Sequence, residues 1–350
     1  MANTPSHSPS NLQTLTASRY LTELPALFQS LIPQRLQRPT TPPPPPIPTQ
    51  PLSHYHLPDS TRRTVLYLAY GSNLSHETFQ GVRGIRPLSQ LNVQVPSLRL
   101  TFDLPFMPYH EPCFANTALR DPSSPSKGST SLPPSKDHPA NGSDYHKDRW
   151  HKGLIGVVYE VTPSDYAHII ATEGGGSSYA DIIVPCHPLP LSPVVPSVPT
   201  TPAFKAHTLF APRQSPSVSE GRLFRRPDPS YAQPSARYLK LITDGAAQHG
   251  MPAEYLSYLA GIRPYTRTTR GQEAGRVAFL TLWMPFFAFL FALGKIFADP
   301  DGMIPGWLAQ AFNAVVVAMW ASYDNFFVRV FGDGERTVGD GWGEELVFGP

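Results

Sequence analysis

The sequence predicts an α+β fold, a small mixed β-barrel with flanking helices, and three observations lead to it. Short runs rich in Val, Ile, Leu, Tyr and Phe recur between turn residues, as in β-strands. Helical segments with capping signals lie among them, without the regular strand–helix alternation of a parallel α/β sheet. Prolines number 42 in 350 residues, or about 12% against a usual ~5%, so a sizeable part of the chain lies outside this core.

The expected strands are short and bounded by turn residues. They comprise residues 65–70, 91–95, 97–102, 153–161 and 180–184. The first strand runs into a Gly-Ser-Asn turn, a composition suited to a sharp change of chain direction. These segments are the expected strands of the barrel.

The expected helices begin at N-terminal signals. After the first strand, Ser75 is suited to cap a helix with Glu77 in its first turn. Thr162 is suited to cap a second helix with Pro163 at its first position, and this helix would deliver Glu173 at its end. Further helices are expected over residues 235–250 and 252–260.

Composition divides the chain into three regions. Residues 1–63 are rich in Pro, Ser and Thr and are interpreted as a disordered tail, although three arginines and a single acid before residue 40 also suit a mitochondrial presequence. Residues 64–268 form the expected catalytic domain, and two Pro/Ser-rich stretches in it, 121–148 and 187–233, are interpreted as surface insertions. Residues 269–350 form an apolar, helical C-terminal region.

Two short segments are the most informative part of the chain. Residues 67–74 read YLAYGSNL, a strand that ends in Gly before a helical turn, which exposes backbone N–H groups suited to binding an anion. Residues 173–179 read EGGGSSY, a carboxylate followed by glycines that allow close backbone packing. An anion cradle and an acid/base carboxylate together suit chemistry on an amino-acid-like substrate.

These segments resemble the γ-glutamylcyclotransferases, whose signature is YGSNL and whose catalytic Glu corresponds to Glu173. Residues 156–163 (GVVYEVTP) and 234–238 (PSARY) agree in order and spacing, so the resemblance covers about residues 64–265. It implies the barrel architecture adopted above, Glu173 as general base and acid, and no cofactor or metal. The implied substrate-binding residues are Tyr67, Leu68, Ala69, Tyr70, Gly71, Ser72, Asn73, Leu74 and Tyr238.

The implied reaction is an intramolecular cyclisation, in which a γ-glutamyl group releases 5-oxoproline and a free amino acid or peptide. Two alternatives stay open. One is a non-catalytic module that binds γ-glutamyl groups or serves as a membrane-tethered interaction partner, and the other is a tailoring enzyme for a γ-glutamyl conjugate in fungal secondary metabolism. A degenerate module would be expected to lose its carboxylate, and Glu173 is present.

Charge and cysteine content restrict the partners and the compartment. A net charge of +2 is too small to indicate nucleic-acid binding. Two cysteines, Cys113 and Cys186, make no disulfide framework, and no secretory signal peptide is evident, so a cytoplasmic location is expected. His54 and His56 have the spacing of a weak metal site but no third ligand nearby. The oligomeric state is open, a homodimer included.

The C-terminal region departs from the plain family pattern. Residues 277–294 are uncharged and rich in Phe, with Pro285 in their middle, and residues 302–323 contain a second apolar stretch with Trp307 and Trp320 near its ends. Membrane association through residues 277–323 is the favoured interpretation. A transmembrane hairpin, helices lying in the membrane interface and helices packed on the catalytic core all remain open.

Overall fold

The computed structural model describes residues 64–120, 150–172, 180–210, 226, 228, 231–297 and 304–338. The predicted N-terminal tail, the predicted insertion at 121–148 and the EGGGSSY segment with Glu173 lie outside these residues. Within them, one closed barrel, one two-stranded sheet and a set of helices are organised around two hydrophobic cores.

The barrel has five strands in the order β1-β5-β2-β6-β7. Every neighbouring pair is antiparallel except β1 and β7, which close the barrel in parallel at Tyr67 and His207. Its strands are β1 Val65–Ala69, β2 Ser89–Val95, β5 Leu154–Val161, β6 Ala180–Pro188 and β7 Phe204–Phe210. The predicted α+β class with a mixed barrel is confirmed.

A separate hairpin of β3 (Leu98–Met107) and β4 (Glu111–Leu119) forms a two-stranded antiparallel sheet. The strand predicted over 97–102 is the first half of β3, whereas β4 was not predicted. Its sequence contains no Val or Ile and begins with Glu-Pro, so it lacks the usual strand composition. Tertiary burial stabilises it instead, since every residue from Glu111 to Ala118 is buried.

The interpretation of residues 187–233 as one surface insertion is wrong in part. β6 extends to Pro188, and β7 lies inside the supposed insertion. β7 is hydrogen-bonded to β6 along its length, and its parallel pairing with β1 closes the barrel. Its pattern of alternating buried and exposed residues is that of a strand, but the prolines on its N-terminal side concealed it.

Three helices flank the barrel, and each begins within one residue of its predicted start. Helix α1 (Pro163–Thr172) is capped by Thr162, whose Oγ1 accepts a bond from Asp165 N at 3.1 Å. Helix α2 (Ala236–Gln248) is capped by Ser235, whose hydroxyl accepts from Tyr238 N at 3.0 Å. Helix α3 (Ala253–Ala260) follows Pro252.

After β1, where the sequence predicts one helix capped by Ser75, the structure has two short helical elements. A 3-10 turn, Ser72–Leu74, comes first, and a π-helix, Glu77–Val82, follows it. Ser75 does not cap the second element, which begins after His76 without a side-chain cap. Ser75 instead ends the 3-10 turn, and its N–H donates to Ser72 O at 3.0 Å.

The C-terminal region forms a long helical hairpin. Helix α4 (Arg270–Phe297) is continuous through Pro285, and helix α5 (Gly306–Ser322) returns beside it. A π-helical turn, Tyr323–Phe327, and helix α6 (Val328–Phe331) complete the second arm. The apolar C-terminal helices are therefore confirmed as helices.

Tyr109, in the turn between β3 and β4, joins this hairpin to the barrel domain. Its ring is fully buried and meets Phe279 and Tyr323 edge-on at 5.9 and 5.7 Å. It adopts a φ of 64°, which is uncommon for a residue with a side chain. Its N–H donates to Gly334 O at 2.6 Å and its hydroxyl to Gly332 O at 2.8 Å, so the C-terminal segment holds this conformation.

A buried ionic cluster strengthens the same junction. Arg226 donates to Asp324 at 2.7 Å and to Glu335 at 2.5 Å, and its guanidinium lies 4.2 Å from the ring centroid of Trp320. Burial raises the pKa of Glu335 to about 7, against the opposing effect of Arg226. Gln233 N also donates to Glu335 O at 2.9 Å. These contacts join residues on both sides of position 268, where the sequence analysis places a domain boundary. That domain boundary stays a prediction.

Gly245 in α2 gives a test of the packing between helix and loop. A Cβ there would lie 2.4 Å from Leu74 C and 2.6 Å from Ser75 N, both backbone atoms. Gly245→Ala should therefore lower the free energy of unfolding by about 1–3 kcal/mol, the usual cost of overpacking. Gly81→Ala is the control, since its Cβ would meet only His76 O at 4.0 Å. Equal thermal unfolding of the two variants would contradict the packing described here.

Candidate active site

The segment YGSNL forms a tight turn at the end of β1. Gly71 O accepts from Leu74 N at 3.0 Å, and the 3-10 turn at Ser72–Leu74 follows directly. The first N–H groups of such a turn have no partner within the turn and are directed out of its start. This is the geometry that the sequence predicts for the anion cradle.

A chain of hydrogen bonds ties this turn to the end of α1. Asn73 Nδ2 donates to Tyr67 Oη at 2.9 Å, and Arg83 Nε donates to Asn73 Oδ1 at 2.8 Å. Arg83 Nη1 then donates to Thr172 Oγ1. Thr172 is the last residue of α1 and directly precedes Glu173, so Arg83 fixes the distance between the turn and the helix that leads to the carboxylate.

Two buried side chains support the turn from below. Tyr159 donates to Asn73 O at 3.2 Å, and His249 Nε2 lies 3.0 Å from Leu74 O and 2.8 Å from the Tyr159 hydroxyl. Burial, together with a smaller effect of the nearby His76, lowers the pKa of His249 to about 4. Burial also raises the pKa of Tyr159, so both groups are neutral at pH 7. Tyr159 and His249 can therefore bond the carbonyls of Asn73 and Leu74 without bringing a buried charge into the site.

Tyr238 forms the wall of the site beside Gly71. Its hydroxyl accepts from Ala115 N at 3.1 Å and would lie 3.3 Å from a Cβ placed on Gly71. Phe114 packs edge-on against the Tyr238 ring at 4.7 Å, and Phe106 packs on Phe114 at 4.9 Å. The unpredicted strand β4 therefore contributes both a backbone donor and an aromatic surface to this wall.

The predicted site residues do not all offer their side chains. Leu68, Ala69 and Leu74 are fully buried in the barrel core, so only their backbones can face a substrate. The Tyr70 hydroxyl donates to Leu209 O at 2.8 Å and so contributes to the structure of the barrel. Gly71, Ser72, Asn73 and Tyr238 lie together, with Tyr67 linked to them through Asn73. Glu173 lies outside the described residues.

Sequence reasoning missed three residues of this site: Arg83, Tyr159 and His249. No motif marks Arg83, which lies in a Gly-rich turn, or His249, which ends a helix, whereas Tyr159 lies in the GVVYEVTP segment without being singled out there. The one signal was position, because Tyr159 lies opposite Tyr67 in the β1–β5 ladder. If the pairing of β1 with β5 had been assumed, Tyr159 would have been placed next to Tyr67 and close to the turn.

Other kinds of chemistry find little support in the part of the chain that the structure describes. It holds no group of three metal-ligating side chains, and the His54 and His56 pair lies outside it. Cys113 and Cys186 are buried, and burial raises the pKa of Cys186 to about 12, which keeps that thiol protonated. The carboxylate at Glu173 stays the predicted acid/base group.

Comparisons with known proteins identify relatives of this chain. Residues 269–330 match the family described as the AclK C-terminal domain. The γ-glutamyl cyclotransferase gliK of Aspergillus fumigatus is 31% identical over 276 residues, which cover 77% of this chain and 89% of the relative. The γ-glutamyl cyclotransferase aclK of Aspergillus oryzae is 28% identical and covers 78% and 90% of the two chains.

Two solved structures also resemble the chain. A γ-glutamyl cyclotransferase is 20% identical over 61% of this chain and 97% of its own, with a TM-score of 0.37. A yeast γ-glutamyl cyclotransferase specific to glutathione is 14% identical over 60% of this chain and 100% of its own, with a TM-score of 0.37. On the sequence relatives, of which the first is matched over nearly its whole length, the chain belongs to the γ-glutamyl cyclotransferase family.

Proposed function

We propose that this protein is a γ-glutamyl cyclotransferase, a carbon–nitrogen lyase that releases 5-oxoproline from a γ-glutamyl amino acid or peptide. The observation that carries the proposal is the connection of the YGSNL turn, through Arg83, to the helix end that precedes Glu173. The names of the fungal relatives support the same activity. The small γ-glutamyl substrate is the expected partner, and the reaction needs no cofactor.

The chemistry has two obstacles that one carboxylate can overcome. The α-amine of the substrate is protonated at neutral pH and cannot attack, and the amide nitrogen is a poor leaving group until it is protonated. Glu173 would accept a proton from the amine and donate it to the departing nitrogen. The amine nitrogen then bonds to the γ-carbonyl carbon, the old amide C–N bond breaks, and a five-membered lactam and a free amine result.

The turn would supply orientation. Backbone N–H groups at Gly71–Asn73 suit the substrate α-carboxylate, and Tyr238 borders the same space. A flexible γ-glutamyl chain held in a folded conformation can gain about 7–11 kcal/mol toward ring closure from positioning. Arg83, Tyr159 and His249 would keep the turn rigid while this happens.

A conjugated γ-glutamyl substrate, as in a tailoring enzyme, is the second candidate. It is favoured by the partly exposed ring of Phe106, which packs on the buried Phe114 beside Tyr238 and would suit an apolar group on the departing amine. The purified full chain would be assayed against γ-glutamyl-alanine, glutathione and an aromatic glutathione S-conjugate, with 5-oxoproline as readout. A kcat/KM at least about tenfold higher for the conjugate would support this candidate. No 5-oxoproline from any of the three would favour the non-catalytic module.

Glu173→Gln tests the carboxylate. The amide keeps the shape and some hydrogen bonds but cannot transfer a proton, so kcat should fall by at least about 10²-fold while substrate still binds. Steady-state release of 5-oxoproline and calorimetric binding measure the two effects. A variant with near-normal turnover would show that another group moves the proton.

Gly71→Val tests the cradle. The added side chain would meet the Tyr238 hydroxyl and Ala115 at the edge of the site, where Cβ alone comes within 3.3 and 3.6 Å. KM should rise by about tenfold or more because the substrate can no longer approach the N–H groups. Circular dichroism checks the fold. An intact fold with unchanged KM would mean that the turn has only a structural role.

Arg83→Lys tests the connection between the turn and α1. Lysine keeps the charge but cannot bond Asn73 and Thr172 at once, as the guanidinium does. We expect a loss of about 10- to 100-fold in kcat/KM from misplacement of the reacting groups. Arg86→Lys, at an exposed position nearby, is the matched control and should leave kcat/KM unchanged. Equal activity of both variants would remove Arg83 from the site.

A further inference from the structure

The arms of the C-terminal hairpin, here called the apolar hairpin (residues 277–323), are each long enough to cross a bilayer. Two candidate spans are present in the described residues, Arg270–Gly294 and Gly306–Phe331. Their uncharged parts contain 18 residues or more, which corresponds to about 27 Å of helix against a hydrocarbon core of about 30 Å. Length alone is weak evidence, because the core helix of a soluble protein passes the same test.

Burial separates these helices from ordinary core helices. Only 17% of the most apolar 18 residues of the first span, and 22% of those of the second, are buried. Among the exposed positions of residues 277–294, Thr281 is the one polar side chain, and the others are apolar: Val277, Ala278, Leu282, Pro285, Phe286, Ala288, Phe289 and Ala292. Such a surface is unfavourable in water and is expected for a helix that faces lipid.

The exposed apolar residues of α4 form one continuous face that is wider than a narrow stripe. At about 100° per residue, Val277, Phe289 and Phe286 point in directions that span about half of the circumference of α4. A second copy of the chain would cover a narrower seam, as in a coiled coil. Lipid chains cover a helix from all of its free sides, so the distribution favours a bilayer over a homodimer.

The two arms of the apolar hairpin contact each other through side chains that are compatible with a membrane. Phe291 packs edge-on against Phe312 at 4.9 Å, and the indole N–H of Trp283 donates to Ser322 Oγ at 3.1 Å. Apart from Pro285 of α4, which has no N–H to donate, the helical backbone groups can bond within each helix, as a bilayer requires. Two exposed polar side chains of α5, Gln310 and Asn313, lie within its first two turns, close to the end away from the barrel. At 1.5 Å per residue they lie about 6 and 10 Å from the start of α5, so both uncharged amides are in the half of the span nearest the tip.

Charges mark the two ends of the hairpin differently. The end at the barrel carries Arg270 and Arg276 on α4 and Arg329 on α6. Toward the other end of α4 the sequence has one basic residue, Lys295, and it is followed by Asp299 and Asp301, which lie outside the described residues. Basic residues are enriched on the cytoplasmic side of membrane helices. We propose that the apolar hairpin spans a lipid bilayer, with the barrel and its site on the cytoplasmic face.

Fractionation of the full chain tests the insertion. The wild-type protein should sediment with membranes, resist alkaline carbonate and dissolve in detergent. Phe286→Arg with Phe289→Arg places two charges at mid-span and should raise the carbonate-soluble fraction by about tenfold or more. Leu191→Arg with Val198→Arg, at exposed apolar positions outside the hairpin, is the matched control and should not. A wild-type chain that is soluble, alone or as a dimer, would overturn the proposal.

Cysteine labelling tests the orientation. The two native cysteines are buried, so a membrane-impermeant maleimide should report added cysteines above a low background. In sealed microsomes Arg270→Cys should react at once, whereas Ile296→Cys, an exposed position near the tip, should react only after permeabilisation. Immediate reaction of both would overturn the spanning arrangement. The reverse pattern would overturn the cytoplasmic placement. Neither readout depends on the proposed enzymatic activity.

Discussion

The close contact between helix α2 and the YGSNL turn is the constraint on which the site depends. Gly245 brings the helix so near that no side chain fits between it and the backbone of Leu74 and Ser75. The same helix carries Tyr238 at its start, and His249 follows directly at its end. The packing of α2 against the turn therefore positions Tyr238, His249 and the YGSNL turn relative to one another. Any shift of α2 would move all three together.

A second constraint links the catalytic region to the C-terminal hairpin. Tyr109 lies in the β3–β4 turn with a left-handed backbone conformation, and residues 332–334 hold it there through hydrogen bonds. Strand β4 leads from this turn to Ala115, the donor to Tyr238. The C-terminal segment thus supports the hairpin that forms one wall of the site. With the apolar hairpin inserted in a bilayer as proposed, this fold would bring the site close to a membrane surface.

Several features were predictable because local physics decides them. Thr162 caps helix α1 as its sequence position predicts, since a short hydroxyl side chain before a helical segment satisfies a free N–H. The strands of the barrel other than β7, and the first half of β3, follow from runs of branched and aromatic residues. The YGSNL motif identified the cradle because Gly permits the turn and places backbone donors at its start.

What the sequence by itself determined was therefore the mixed barrel class, most of the elements and the position of the turn. Only the tertiary structure decided that β4 and β7 are strands, because burial and barrel closure stabilise them against a composition typical of loops. It also decided that Arg83, Tyr159 and His249 converge on one turn from positions far apart in the chain. Hydrogen bonds between distant residues leave no periodic pattern in a sequence, since they depend on how the elements pack and not on local spacing.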